Sequence, residues 1–220
     1  MKLEHIGIIL DGNGRWAERR GRPRWHGHRA GIENAIRIIN ALAKTNTRYV
    51  TLYTFSTENW SRPRNEVERL FGLLMFAARE HIHDLMTRNI RVLHLGRGAK
   101  LPRRVVDAID QVGGLTAGND GLTVSVALDY GGRQEITEAA RRISQLGLAA
   151  EEVTEELVAA HLYLPEVPDP DLVIRTGGEH RLSNFLVWQA ARSRFHVTDT
   201  LWPDFDEVEL SRILRQYEDE

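Results

Sequence analysis

The sequence predicts a single α/β domain built on a central, mostly parallel β-sheet flanked by helices. Short apolar runs recur at residues 6–10, 49–55, 90–95, 122–128, 172–174 and 195–201, each bounded by glycine, proline or polar clusters. Between most of them lie segments with helical spacing, and this alternation is the pattern of a sheet covered by helices. With 220 residues, 42% of them hydrophobic, the chain has the length and the apolar material for one real core.

The run 6–10 reads as a strand feeding an acidic, glycine-rich loop. Ile32, Ile36, Ile39 and Leu42 recur at three- and four-residue intervals and predict a helix before the second strand, 49–55. After that strand a polar loop stops at Pro63, and Val67, Leu70, Phe71, Leu74, Ala78, Ile82 and Leu85 predict a helix from about Asn65. The runs 90–95 and 122–128 read as further strands, 147–156 and 165–170 as surface connections, and 172–174 and 195–201 as the last two strands. No internal repeat, low-complexity segment or linker divides the chain, so residues 1–220 read as one domain.

Composition narrows the chemistry. The net charge of −2 and a pI near 6.5 give no global field for nucleic acid or an anionic membrane, so an anion must be met by a local cluster of cations. The absence of cysteine excludes disulfides, a thiol nucleophile and thiolate zinc sites, leaving carboxylate, histidine and arginine chemistry. The opening segment is too short for a signal peptide, and no apolar run approaches the roughly 20 residues of a membrane span. The expectation is a cytoplasmic protein with no integral membrane segment.

In sheets of this kind ligands bind beyond the carboxyl ends of the strands, and the chemistry-bearing residues cluster there. After the first strand come Asp11, Gly12, Asn13, Gly14, Arg15 and Trp16, with Arg19, Arg20, Arg22, Arg24, His26, His28 and Arg29 beyond. Glycines at a strand end let the backbone approach a ligand, and a following helix start offers free amides to phosphate oxygens. Arg15, Arg24 and Arg29 can add bidentate bonds to a diphosphate. Asp11 is the acid among these cations, useful there if it holds a Mg²⁺ that also carries phosphate oxygens. The same residues also read as a tight turn followed by a solvated basic helix.

The second strand feeds Ser56, Glu58, Asn59, Trp60 and Arg62, which suit a lid over an amphipathic substrate or, alternatively, a capped connection whose tryptophan packs on the core. The segment after the fifth strand repeats the logic of strand, glycine pair and helix start. Arg175, Arg181 and Ser183 can bind a second diphosphate, and His180 either touches a metal or phosphate or is a structural histidine.

Together HIGIILDGNGRWA (5–17), GHRAG (27–31), TLYTFSTENWSRP (51–63), DLVIRTGGEHRLSNFLVWQ (171–189) and TDTLWPDF (198–205) resemble the undecaprenyl diphosphate synthase, or cis-prenyltransferase, family, in order and over nearly the whole chain. The resemblance implies a homodimer, a six-stranded parallel sheet, and a hydrophobic tunnel with a diphosphate pocket at its mouth. It implies that Asp11 is the metal-linked aspartate of a Mg²⁺-dependent enzyme. Gly12, Asn13, Gly14, Arg15, Arg24, His28 and Arg29, with Trp16 beside them, would surround the allylic diphosphate. Ser56, Glu58, Asn59, Trp60 and Arg62 would form the catalytic loop, with Ser56 and Asn59 near the proton that is lost. Arg175, Arg181 and Ser183 would hold the nucleophile's diphosphate, with His180 near its metal.

Three positions depart from that pattern. Arg194 stands where the family carries a metal-binding glutamate and is able to pair with a diphosphate directly; Arg97 replaces an acid; Asp129 replaces an amide. Ile32, Thr54, Phe71 and Phe76 add bulk along the expected tunnel. A changed second diphosphate site with less room puts first an irregular, head-to-middle coupling of two dimethylallyl diphosphates to a lavandulyl or cyclolavandulyl product. The alternative is a regular head-to-tail synthase adding isopentenyl diphosphate to an allylic diphosphate. A non-catalytic partner subunit comes last, because such subunits lose the aspartate and phosphate arginines that this chain keeps.

Overall fold

The computed structural model describes residues 3–218. Its sheet comprises β1 (His5–Ile9), β2 (Tyr49–Ser56), β3 (Arg91–Leu95), β4 (Thr123–Tyr130), β5 (Leu172–Arg175) and β6 (Arg194–Val197), in the order β3-β4-β2-β1-β5-β6. Every neighbouring pair is parallel, so the sheet is wholly rather than mostly so. β1 lies at the centre, with Ile6 opposite both Val50 and Leu172, and is buried along its whole length. An unbroken apolar strand is what a sheet covered on both faces requires.

The helices are α1 (Asn13–Glu18), α2 (Arg24–Leu42), α3 (Arg64–Glu80), α4 (Ile82–Thr87), α5 (Arg103–Thr116), α6 (Gly132–Ser144), α7 (Glu155–Ala160) and α8 (Glu207–Glu218). On one face Ile38, Ile39 and Leu42 of α2 and Leu210, Ile213 and Leu214 of α8 pack on Ile6, Ile8, Val50 and Ile174. On the other, Ile9, Ala127 and Val173 meet Phe185, Leu186 and Ala190. This is the period-two alternation of the strands. No helix among the described residues is long and apolar enough to cross a membrane.

Two elements differ from expectation. The last strand ends at Val197 because the carbonyls of Thr198 and Thr200 turn to the amides of Gly178 and Gly177, at 2.9 and 2.8 Å, instead of extending the ladder. The helical pattern through Leu85 breaks at His81, whose φ of −102° and ψ of 3° separate α3 from α4. Within the connection 147–156, Thr154 caps α7 by accepting from the amide of Leu157.

Candidate active site

Two loops from adjacent strands build the centre of the site. Gly12 after β1 and Gly177 after β5 both sit at positive φ, 113° and 84°, where a side chain would be strained. They fold the loops against one another: Thr176 Oγ1 donates to Asp11 O at 2.7 Å and Arg15 Nη1 donates to Gly177 O at 2.8 Å. The amide of Trp202 closes the same knot by donating to Asp11 O at 3.0 Å.

At the knot, Arg175 Nη2 donates to Asp11 Oδ2 at 2.9 Å and Nη1 to Ser183 Oγ at 2.6 Å and to the carbonyl of Arg181. Arg15 reaches Asp11 Oδ1 at 3.4 Å. The Nε of Arg175 is buried without a partner, so the guanidinium keeps unused donor capacity. Asp11 and Glu58 are the carboxylates lining the adjoining cavity. Among the described residues no group of three or more histidines, aspartates or glutamates could hold a metal unaided.

The cavity, about 1050 Å³, has a polar end formed by Asp11, Asn13, His28, Ser56, Glu58, Asn59, Arg62, Arg175, Arg181 and Ser183. Most of its remaining lining is apolar, with Ile36, Ile39, Leu70, Leu74 and Val126. An apolar pocket of about 150 Å³ shares Ile36, Ile39, Leu74, Ala77 and Val126 with it. Burial, then the charge of Arg62, holds His28 below its ordinary 6.5 despite the Glu66 carboxylate 3.3 Å away, so its ring is neutral at pH 7. Partial burial pushes the Glu58 carboxyl up, but the hydrogen bonds it accepts, led by that of Asn184, outweigh this and hold it below its ordinary value. Asn59 holds Ser56 in place: its Oδ1 accepts from the amide of Ser56 at 3.1 Å.

Other expected site residues sit elsewhere. Gly12, which caps α1, and Gly14 and Arg15, in its first turn, adjoin Asp11 without lining the cavity. Trp16 donates to Asp204 and lies under Arg20; Arg24 pairs with Glu18 and Arg29 with Glu33. Trp60 packs on Phe55 and Phe71 and donates to Asp129 Oδ1 at 2.7 Å, which is the packed-connection alternative. His180 is exposed and lines no part of the cavity. Arg194, on the edge strand, donates to Tyr217 O and lies over that ring, away from the cavity. Ile32 and Thr54 do line it, but Phe71 and Phe76 do not: they lie on other faces of α3 from Leu70, Leu74 and Ala77, and Phe76 is 64% exposed.

Sequence reasoning missed Arg133 and gave no separate weight to Asn184, both of which line the cavity. The signal was present: Gly131-Gly132-Arg133 follows β4 as Asp11-Gly12 follows β1.

Comparison with known proteins settles the class. Residues 9–220 match the model of a family described as putative undecaprenyl diphosphate synthase. An isoprenyl transferase of Porphyromonas gingivalis is 46% identical over 218 residues, 97% of this chain and 85% of that one. The ditrans,polycis-undecaprenyl-diphosphate synthase ((2E,6E)-farnesyl-diphosphate specific) of Photorhabdus laumondii is 47% identical over 208 residues, 93% and 82% of the two chains. Lavandulyl diphosphate synthase from Lavandula x intermedia, solved with dimethylallyl diphosphate, superposes with a TM-score of 0.94 at 34% identity, over 99% of this chain and 96% of that one. A probable undecaprenyl diphosphate synthase from Campylobacter jejuni gives 0.84 at 30% identity, over 100% and 97%. The chain belongs to the undecaprenyl diphosphate synthase, or cis-prenyltransferase, family. It is a prenyltransferase of isoprenoid synthesis.

Proposed function

We propose that the chain is a regular cis-prenyl diphosphate synthase that adds isopentenyl diphosphate head to tail to an allylic diphosphate, releasing pyrophosphate. The observation that carries this reading is the meeting of two anion-binding loops at Asp11, at the polar end of a cavity whose remaining lining is mostly apolar. Ionisation of an allylic diphosphate leaves a carbocation and pyrophosphate. Asp11 and Asn13 hold the leaving diphosphate, while Ile36, Leu70 and Leu74 shield the cation and the tail from water. Arg175, Arg181 and Ser183 hold the second diphosphate so that its double bond faces the cation. The proton then passes to a phosphate oxygen near Ser56 and Asn59.

Asp11, a partly exposed carboxylate on the cavity wall, would hold a Mg²⁺ together with the substrate's own phosphate oxygens. When bound, it supplies charge neutralisation at the leaving group. The apolar pocket beyond Leu74 is the continuation of the cavity into which a growing tail extends. The reading carries a homodimer in the cytoplasm; the exposed Phe195, on the edge strand, suits burial by a second copy.

Irregular coupling, expected first from the sequence, becomes the second reading. The curated relatives described above are isoprenyl transferases and undecaprenyl diphosphate synthases, and Arg194 is turned to Tyr217 rather than to the cavity. The close superposition on lavandulyl diphosphate synthase keeps it in contention. Mass analysis decides between them: a linear product that requires isopentenyl diphosphate upholds the proposal, and a ten-carbon product from dimethylallyl diphosphate alone overturns it.

A further inference from the structure

Asn184 joins three loops at the cavity wall. At a φ of 65° its carbonyl accepts from the amide of Gly132 at 2.7 Å, its Oδ1 from the amide of Arg133 at 2.8 Å, and its Nδ2 donates to Glu58 Oε1 at 2.9 Å. A Cβ on Gly131 would stand 2.7 Å from Asn184 Nδ2, so glycine at that position is what admits the amide. The backbone of Arg133 is thereby fixed beside the wall that carries Ser183.

Four arginines line the cavity, and three are already paired: Arg62 with Glu66, Arg175 with Asp11 and Arg181 with Glu179. The guanidinium of Arg133 has no carboxylate partner among the described residues. A cation on a fixed backbone, unpaired, at the polar end of a cavity is available to an anion at little cost in reorganisation.

We infer that Arg133 is a third cation, beside Arg175 and Arg181, for the diphosphate of the second substrate, and that Asn184 is the positioning residue that sets it there and couples it to Glu58. This rests on the two-diphosphate reading above. Three arginines around one diphosphate spread its charge over several fixed forks, and the link through Asn184 connects occupancy of that arm to the loop holding Ser56 and Asn59.

The experiment compares Arg133→Gln, Arg133→Lys and Arg175→Ala for binding of inorganic pyrophosphate by calorimetry, and for KM and kcat with both substrates. Arg133→Gln is expected to weaken pyrophosphate and raise the KM for isopentenyl diphosphate about tenfold, the equivalent of one charge-assisted hydrogen bond, with kcat within about threefold. Arg133→Lys recovers part of the loss. Asn184→Ala raises the same KM and also lowers kcat, and Arg133→Gln adds little in its background. If Arg133→Gln binds pyrophosphate as tightly as the parent while Arg175→Ala does not, the inference fails and the two-diphosphate reading stands. If neither substitution changes pyrophosphate affinity, both fail.

Discussion

Arg175 donates to the Asp11 carboxylate at 2.9 Å with only 5% of its side chain exposed, whereas Asp11 is 32% exposed and faces the cavity. The pair therefore has one buried member and one open to the cavity, and its two members answer differently to substitution.

Asp11→Asn is expected to lower kcat by at least ~10²-fold, the scale of losing one preorganised electrostatic group. Because Arg175 loses a charged acceptor, about 1–3 kcal/mol of stability goes with it. Steady-state kinetics beside a urea unfolding curve measures both; a folded variant with near-parental kcat would remove Asp11 from the chemistry.

Replacing Arg175 and Arg181 separates packing from recognition. Arg175→Ala breaks bonds to Asp11, Ser183 and the Arg181 carbonyl and is expected to cost about 2 kcal/mol or more. Arg181→Ala, at an exposed pair with Glu179, should barely change stability and should raise the KM for the second substrate. A rise confined to the allylic substrate would reverse the assignment of the two arms.

Ile32→Ala with Thr54→Ala is expected to lengthen products, because both side chains line the cavity. Phe76→Ala should leave product length as it is, since that ring faces outward. Chromatography of the products tests the pair, and an unchanged distribution in the double variant would mean that the tail runs elsewhere.

His5 is 2% exposed, with Nδ1 at 2.5 Å from Pro168 O and Nε2 at 2.8 Å from Thr51 Oγ1. Burial lowers it from 6.5 to about 4 even though Pro168 and Asp171 favour the charged form. The folded state thus resists a proton that the unfolded chain accepts. The stability from this site is complete above pH 6.5 and is lost as pH falls from there to about 4, by ~3 kcal/mol in all. The urea midpoint of His5→Gln should fall less steeply than that of the parent across this window; parallel curves would exclude the effect.

The sheet was legible because each strand carries its own apolar run, and the phosphate loops because glycines and charges cluster at strand ends. What was not legible depended on distant partners. Whether Trp16 and Arg24 face a ligand turns on Asp204 and Glu18, which capture them with no helical spacing to announce it, whereas the i,i+4 pair of Arg29 with Glu33 was open to a local reading. Phe71 and Phe76 counted equally as bulk until the helix phase put one on Phe55 and the other in solvent. The glycine pair before Arg133 was legible after β4, but that its backbone is pinned at the cavity wall depends on Asn184, 51 positions away.

The central place of β1 also has a biosynthetic consequence. One edge of this strand can pair as soon as β2 has been made, but its other edge waits for Leu172–Arg175, and the Asp11 carbonyl waits longer still for the amide of Trp202. On the ribosome a nascent chain therefore carries Asp11 with an unpaired apolar strand edge beside it until β5 has followed. The pocket cannot assemble until residue 202 has been made, so a chain stalled short of that point is inert and open to sticking to its neighbours.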